Sequence, residues 1–508
     1  MISTSDSYAA FQRRLDRIFN VAQQLPLNFL GYSQSDVVSR ITQRCAEIGI
    51  FEFTKIAAEI YRKTGGLPLD NEKIVSGGIF IDVDGKVRLT IKKFLRLLVE
   101  FLINWSYNFL SILFALRIFC LRRQVTLLYG VGLQDLMAEG SDARFLNFCR
   151  AGPIVPLSTS DYIFIQAQQD IRSTEPLRVR FVRNPLLSAL RQSGLGLQAW
   201  THALVEHFYV GYSFIWGVCK SPSLSLLGAD AANHSIASVL NKQQTVKDII
   251  FTNSYLFSQP LWFWALPNKT YSSHIVWYSQ NSYPISYLGE AAAIPLPNLR
   301  YIKSDIQWVW SEGFKDFLNS LCSGCSYSVV GPIVWHLPSK IIKVKGNKKR
   351  ITIFDVTPIS QETENKFGFI RNIYSEKNAT LFIRDIVEVA NDLSKKTGVE
   401  IELLLKHKRP HHSIHSSEYI QKVTDFVDAN QINLIEPSSN LYDLIINSDL
   451  VIVYPYSSPI ILARELRRDA FWYDPTSTLE WMLGAPEFSL VQGRNSLARV
   501  MRKVLVKI

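Results

Sequence analysis

Cysteine is scarce in this chain. The 508 residues hold six, at positions 45, 120, 149, 219, 322 and 325. Spread so thinly they build no disulfide framework, which points to a reducing compartment. Cys322-Ser-Gly-Cys325 is a single CxxC with no second ligand pair, so ordinary thiols suit it better than a zinc or redox site, and no metal is expected. Residues 1–10 lack the apolar run of a signal peptide, and a cytoplasmic protein is the expectation. There is no arginine-rich arm, RNA-binding signature or helix-turn-helix pattern. The net charge of +11 and the sequence pI near 9.2 therefore do not imply nucleic acid. An anionic membrane surface or phosphorylated small molecules account for the excess. Internal repeats and long low-complexity segments are also missing.

What is present reads as globular: 47% hydrophobic and 19% charged residues, in a chain long enough for two or three cores. The 11 Trp, 21 Tyr and 29 Phe suit large cores, a carbohydrate-facing cleft or a membrane interface. Residues 1–123 form a mainly helical region, with Phe11, Leu15, Ile18, Phe19 and Ala22 at helical spacing. A short hairpin turning at Asp84-Gly85 interrupts it. Residues 94–120 are long enough to span a bilayer, but Arg96, Glu100, Arg117, Asn104 and Asn108 argue for an interfacial helix or helical hairpin, with a soluble packing helix as the alternative. Flanking Lys92, Lys93, Arg122 and Arg123 favour peripheral attachment to a cytoplasmic leaflet.

From residue 124 to 337 strand-like runs ("VTLLYGVG", "DYIFIQAQ", "KDIIFTNS", "SHIVWYSQNS", "YSVVGPIVW") alternate with helical ones. That pattern predicts a parallel sheet wound on both faces. A basic linker over 338–350 leads to a second such series over 351–490. Residues 491–508 form an amphipathic docking helix with Leu497, Val500, Met501, Val504 and Leu505 on one face.

In the second series, chemistry-bearing residues recur at strand exits, where open parallel sheets bind ligands. "EIELLL" ends in Lys406-His407-Lys408-Arg409, "INLI" in Glu436-Pro437-Ser438-Ser439, and "DLVIV" in Tyr454-Pro455-Tyr456-Ser457-Ser458. Together they suit a nucleotide mono- or diphosphate. Ser457 and Ser458 offer hydroxyls beside a helix start with free amides. Lys406, Lys408 and Arg409 neutralise phosphate, the arginine bidentately, and Glu436 can accept from a ribose or base edge. His407 stands with His411, His412 and His415, but Pro410 breaks the helical spacing a metal pair needs. A phosphate contact or acid–base work suits one of them better. Asp474 either borders the same cleft or caps a turn.

These motifs carry a resemblance. The second half is similar to the nucleotide-binding domain of GT-B glycosyltransferases. Within them it resembles the bacterial polysaccharide-biosynthesis proteins known by a "PFTS" motif, Pro455-Tyr456-Ser457-Ser458 standing at the motif's place. "WYSQNS", "VVGPI" and "KHKR" look like further pieces, so the similarity covers most of 125–485. It implies a GT-B-like α/β fold, with two Rossmann-like doubly wound domains facing a cleft. The implied activity is metal-independent transfer of a sugar from a nucleotide-activated donor to a glycan or lipid-linked acceptor in capsule or O-antigen synthesis. The expected partners are thus a nucleotide-sugar, that acceptor and an anionic membrane. Serine pairs here also resemble the phosphate motif of sialyl- and Kdo-transferases, whose partner His-Pro motif this chain lacks. CMP, UDP and GDP donors therefore stay open. The resemblance places acceptor and base in the first domain. Asp142, Asp230 and His234 are the base or nucleophile candidates there, with Arg144, Ser279 and Asn281 toward the acceptor. A nucleotide-sugar epimerase and a non-catalytic scaffold of an assembly complex are the alternatives.

Overall fold

The computed structural model describes residues 4–22, 29–47, 74–117, 123–130, 160–166, 179–252, 259–277, 286–288, 297–321, 324–332, 348–362, 373–408, 415–437, 439–480 and 489–506. The chain opens with helices α1 (Thr4–Ala22) and α2 (34–47). A small antiparallel sheet of β1 (Ile74–Ser76), β2 (Ile79–Ile81) and β3 (Val87–Leu89) follows. Asp84-Gly85 makes its turn as the sequence implies. Gly85 sits at φ +86°, and an added Cβ would stand 2.5 Å from the backbone of Arg17 in α1. Only glycine fits both the conformation and that approach.

Next comes α3 (Ile91–Leu113), started by Thr90, whose hydroxyl accepts from Lys93 N at 3.1 Å. It covers residues 94–113 of the expected 94–120 helix and starts three residues before it, while residues 118–120 lie outside the described residues. No helix among the described residues is long and apolar enough to cross a membrane. One side of α3 is already buried in the protein, through Leu97, Phe101, Asn108 and Ile112.

Two parallel sheets carry the rest. The first runs β4 (Val125–Tyr129), β5 (Tyr162–Gln166) and β6 (Val179–Val182). Helices α4 (Pro185–Ser193), α5 (Leu197–Lys220) and α6 (Gly228–Lys242) follow. The chain continues through β7 (Val246–Thr252), the short α7 (Leu261–Trp264), β8 (Ser272–Val276), β9 (Ser286–Tyr287), which lies outside this sheet, β10 (Ile306–Val309), α8 (Glu312–Leu321) and β11 (Ser326–Val329). Spatial order in this sheet is β11-β10-β8-β7-β4-β5-β6. Taken in its own sequence order that is 7-6-5-4-1-2-3, the doubly wound pattern with its reversal between β4 and β7. Every residue of β4 is buried, as expected of a central strand covered on both faces.

The second sheet contains β12 (Lys349–Phe354), α9 (Glu376–Thr397), β13 (Ile401–Lys406), α10 (Ser417–Asp428) and β14 (Asn433–Ile435). Then come α11 (Leu441–Ile446), β15 (Leu450–Val453), α12 (Pro459–Glu465), β16 (Ala470–Asp474), the short β17 (Leu479–Glu480), β18 (Leu490–Gln492) and α13 (Gly493–Leu505). Its order is β14-β13-β12-β15-β16-β18, all parallel. That is 3-2-1-4-5-6, with the reversal between β12 and β15. The amphipathic α13 buries Leu497, Met501 and Leu505, and Arg494 bonds Glu388 of α9.

One further pairing joins the halves. β9 of the first pairs antiparallel with β17 of the second, Tyr287 opposite Leu479. Two Rossmann-like domains stitched by this ribbon make the fold α/β of GT-B type, as the sequence implied.

Candidate functional site

The reversal point of the second sheet brings three neighbouring strand exits together: Lys406-His407-Lys408 after β13, Asp355 after β12, and Tyr454–Ser458 after β15. Asp355 is the hub, and sequence reasoning missed it. Its carboxylate is 1% exposed. It accepts from His407 Nδ1 at 2.6 Å, from the Tyr419 hydroxyl at 2.6 Å and from Lys408 N at 3.2 Å. Burial, and secondarily the charge of Asp355, hold the Tyr419 phenol well above its ordinary pKa, so it stays a donor. Facing a carboxylate, His407 Nδ1 is the donor, which leaves Nε2 for a ligand. The only sequence signal for Asp355 was its place at the end of an apolar strand, in "ITIFDVTP".

Two residues on, Thr357 Oγ1 is buried without a hydrogen-bond partner. The loop around it is fixed by Ser416 N donating to Pro358 O at 2.9 Å and by an Ile359–His415 bridge. An orphan hydroxyl in a fixed loop at a sheet's reversal point is a group waiting for a polar partner.

The turn after β15 is strained. Tyr456 has φ +62°, an uncommon conformation for a bulky residue and the kind that clusters at functional sites. Its ring packs edge-on to Trp472 at 5.2 Å, and its hydroxyl donates to Glu480 O at 3.2 Å. Tyr456 thus shapes the turn rather than facing a ligand. Ser457 lends its carbonyl to Trp472 Nε1. Ser458 precedes α12 and makes no capping bond. Among the described residues neither serine hydroxyl is taken up by a partner. The helix itself contributes less than the sequence pattern suggests. It has seven residues and begins with Pro459, which has no N–H to offer.

Other members of the predicted cluster go elsewhere. Lys406 is buried and donates to Pro437 O at 2.5 Å, which ties β13 to the turn after β14. Glu436 is exposed at that turn and its carbonyl accepts from Ser439 N. Arg409 lies outside the described residues, as do Asp142, Arg144, Ser279 and Asn281. Asp474 caps its turn: fully buried, it accepts from Thr476 N and Oγ1, Thr478 N and Leu479 N.

Asp230 and His234, the base or nucleophile candidates, do not stand at a strand exit of the first sheet. "LLGADAANHS" forms a 3-10 turn and the start of α6. Asp230 pairs with Arg40 of α2 at 3.0 Å and accepts from Leu261 N at 2.6 Å. His234 Nδ1 meets the Tyr32 hydroxyl at 2.7 Å, and burial pushes its pKa down to about 4. Both fasten the N-terminal region to the first domain. The small-residue run Ala-Asp-Ala-Ala-Asn fits a buried helix, which strand periodicity hides.

Two doubly wound sheets in one chain, with a basic-acidic-hydroxyl cluster at the second reversal point, define a GT-B-type α/β protein. The chain belongs to the family described as "Polysaccharide biosynthesis PFTS motif protein", which it matches over residues 204–499. No curated protein matches it. Among solved structures it is similar to an E. coli trehalose-6-phosphate protein bound with UDP-2-fluoro glucose: 11% identity, TM-score 0.39, covering 76% of this chain and 92% of that one. It is also similar to the wall teichoic acid polymerase TagF with CDPG, at 11% identity and TM-score 0.38, covering 82% and 90%. A third likeness is the Methanocaldococcus jannaschii UDP-GlcNAc 2-epimerase, at 12% identity and TM-score 0.35, covering 76% and 93%.

Proposed function

We propose that the protein is a glycosyltransferase that moves a sugar from a nucleotide-activated donor to a growing surface glycan, capsule or O-antigen, on a lipid-linked acceptor. The observation that carries this reading is the Asp355-clamped His407 lying one strand from the unengaged hydroxyls of Ser457 and Ser458, across the reversal point of the second sheet. Membership of a polysaccharide-biosynthesis family supports it. His407 Nε2, the serine hydroxyls and the orphan Thr357 hydroxyl are the groups that would receive the donor's phosphates. Lys408, exposed at the same strand exit, adds charge, and these groups would stabilise the leaving nucleotide electrostatically. The base that deprotonates the acceptor would come from the first domain, with Asp142 still a candidate.

The test is a thermal-shift panel of CMP, UDP, GDP and TDP on the full chain. A ligand at one hundred times its dissociation constant adds about 2.7 kcal/mol to the folded state. One nucleotide should therefore raise the transition by a few degrees, and neither Ser457→Ala nor His407→Ala should respond. Release of that nucleotide from its sugar conjugate only when a glycan acceptor is added would complete the case for transfer. Conversion of the sugar without an acceptor would make the protein an epimerase. Silence toward all four nucleotides would leave a scaffold.

A further inference from the structure

Helices α3 and α5 lie side by side and antiparallel. Trp200 Nε1 of α5 donates to Ile112 O near the end of α3, while Phe214 stacks on Phe101 at 3.9 Å nearer its start. Midway, Trp105 stacks on His207 at 4.6 Å, and an added Cβ on Gly211 would stand 3.0 Å from the Trp105 ring. Both helices rest on α6. Asn108 of α3 donates to Ala232 O, and His207 of α5 meets Ser235 Oγ. Their inner faces are thus spent.

The outer faces are apolar and uncovered. At 100° per residue, Leu95, Val99, Leu102, Ile103 and Leu110 fall on one stripe of α3, opposite its buried side. Val205, Phe208, Tyr209, Tyr212 and Trp216 do the same on α5. Ile103 is 63% exposed, Phe114 81%, Val205 70% and Tyr212 68%. Two adjacent stripes facing away from the same underlying helix form one continuous apolar face, far more than the scattered leucines of an ordinary surface.

Charge decides what covers it. Because the helices are antiparallel, Lys92 and Lys93 at the start of α3 stand at the same end as Lys220, whose ammonium lies 4.8 Å from the Trp216 ring centre, while Arg96 there is paired with Glu100 at 2.8 Å. Arg117 and Arg191 stand at the other end, Arg191 bonded to the Tyr107 hydroxyl at 3.2 Å. An apolar face with Tyr and Trp on it and cations at both ends matches the layering of an anionic bilayer: acyl chains, then interface, then acidic headgroups.

We propose that the paired outer faces of α3 and α5 seat this protein in the plane of an anionic phospholipid bilayer. Neither helix crosses it, because each has one side committed to α6. This deepens the reading of a lipid-linked acceptor and rests on it for its purpose, but not for its geometry. The sequence run 94–120 supplies only half of the face. Helix α5, interrupted by Glu206, His207, Gly211 and Gly217, does not announce itself as a membrane element.

The experiment is flotation of the full chain with phosphatidylethanolamine vesicles containing phosphatidylglycerol, against vesicles of phosphatidylcholine alone. The wild type should float with the anionic vesicles, at least tenfold less with the neutral ones, and partly dissociate at high salt. Val205→Glu with Tyr212→Glu, and separately Leu95→Glu with Ile103→Glu, should each cut flotation at least tenfold. Their nucleotide response should stay intact, since all four side chains are largely in solvent. A wild type that ignores anionic vesicles, or double variants that float as well as the wild type, would overturn the proposal. So would a dimer in sedimentation that the same substitutions split, because a second copy would then own the face. Flotation lost while nucleotide response persists separates this surface from the catalytic reading. Flotation retained in a chain that answers no nucleotide would uphold the surface and sink that reading instead.

Discussion

Asp355 shows what one buried carboxylate can organise. Three donors converge on it from β13 and α10, so replacing it with asparagine presents an amide N–H₂ to groups that already donate. Asp355→Asn should cost about 2–4 kcal/mol of stability and release His407. Denaturant unfolding would measure the first effect, and a lost nucleotide response the second. His407→Ala should cost less, about 1–2 kcal/mol, while losing the same response. A wild-type nucleotide shift in His407→Ala would remove that residue from the site. Two other histidines predict a pH effect. Burial pushes His207 and His234 down to about 4, against an ordinary value of about 6.5. Between those values the unfolded chain takes up protons that the folded chain refuses. Their stabilisation is therefore complete above about pH 6.5 and is lost as pH falls toward 4, by up to about 3 kcal/mol each. His207 Nε2 meets Trp105 O, and Nδ1 meets Ser235 Oγ, contacts that a glutamine amide can imitate. The stability gap between wild type and His207→Gln should therefore narrow or invert between pH 7 and pH 5. A gap unchanged by pH would refute a neutral buried His207.

At the scale of elements, the N-terminal hairpin is held to α1 by fit as much as by bonds. Gly85→Ala would place a methyl against the Arg17 backbone at a positive φ, so it should cost more than about 2 kcal/mol, read as a lowered thermal midpoint. Gly77 also has positive φ but nothing within 4 Å of an added Cβ, so Gly77→Ala should cost only about 1 kcal/mol. Equal costs would mean that backbone conformation, not the contact with α1, decides. Element type was legible in the sequence wherever periodicity was strong. The buried central strands β4, β7, β12, β13 and β15 stand out as continuous apolar runs because both faces are covered. The short strands β6 and β18, at sheet edges, and β10, between β11 and β8, escaped notice. Helix α6 escaped because it is buried nearly all round, its Ala, Asn and Ser interleaved with Ile236, Val239 and Leu240, so no polar face sets off an apolar one. The candidate site was half legible. Strand exits rich in Lys, His and Ser can be read locally, but Asp355 reaches His407 across 52 residues and Tyr419 across 64. The fate of Lys406 likewise depends on where the Pro437 carbonyl lies, which no local pattern encodes.

On the scale of the whole molecule, the two domains meet through a device that begins at Asp474. Its carboxylate gathers the amides of Thr476, Thr478 and Leu479. That shapes the turn whose far arm, Leu479–Glu480, pairs with Ser286–Tyr287 of the first domain. The same arm receives the Tyr456 hydroxyl at Glu480 O, so the strained turn of the candidate phosphate site and the interdomain ribbon share a contact. A ligand that reorders Tyr456–Ser458 would thereby be coupled to domain pairing through this shared element. Asp474→Ala strands several buried donors and should cost about 3 kcal/mol or more. The informative readout is local. Amide exchange of Leu479 and Leu288, which donates to Thr478 O at 2.9 Å, should speed up at least tenfold. Exchange in β4 and β12, at the centres of the two sheets, should lag behind. If both sheet centres opened in step with the ribbon, the domains would be one cooperative unit. If only the ribbon opened and nucleotide affinity fell with it, the turn after β15 would be the link between donor binding and the closing of the two domains.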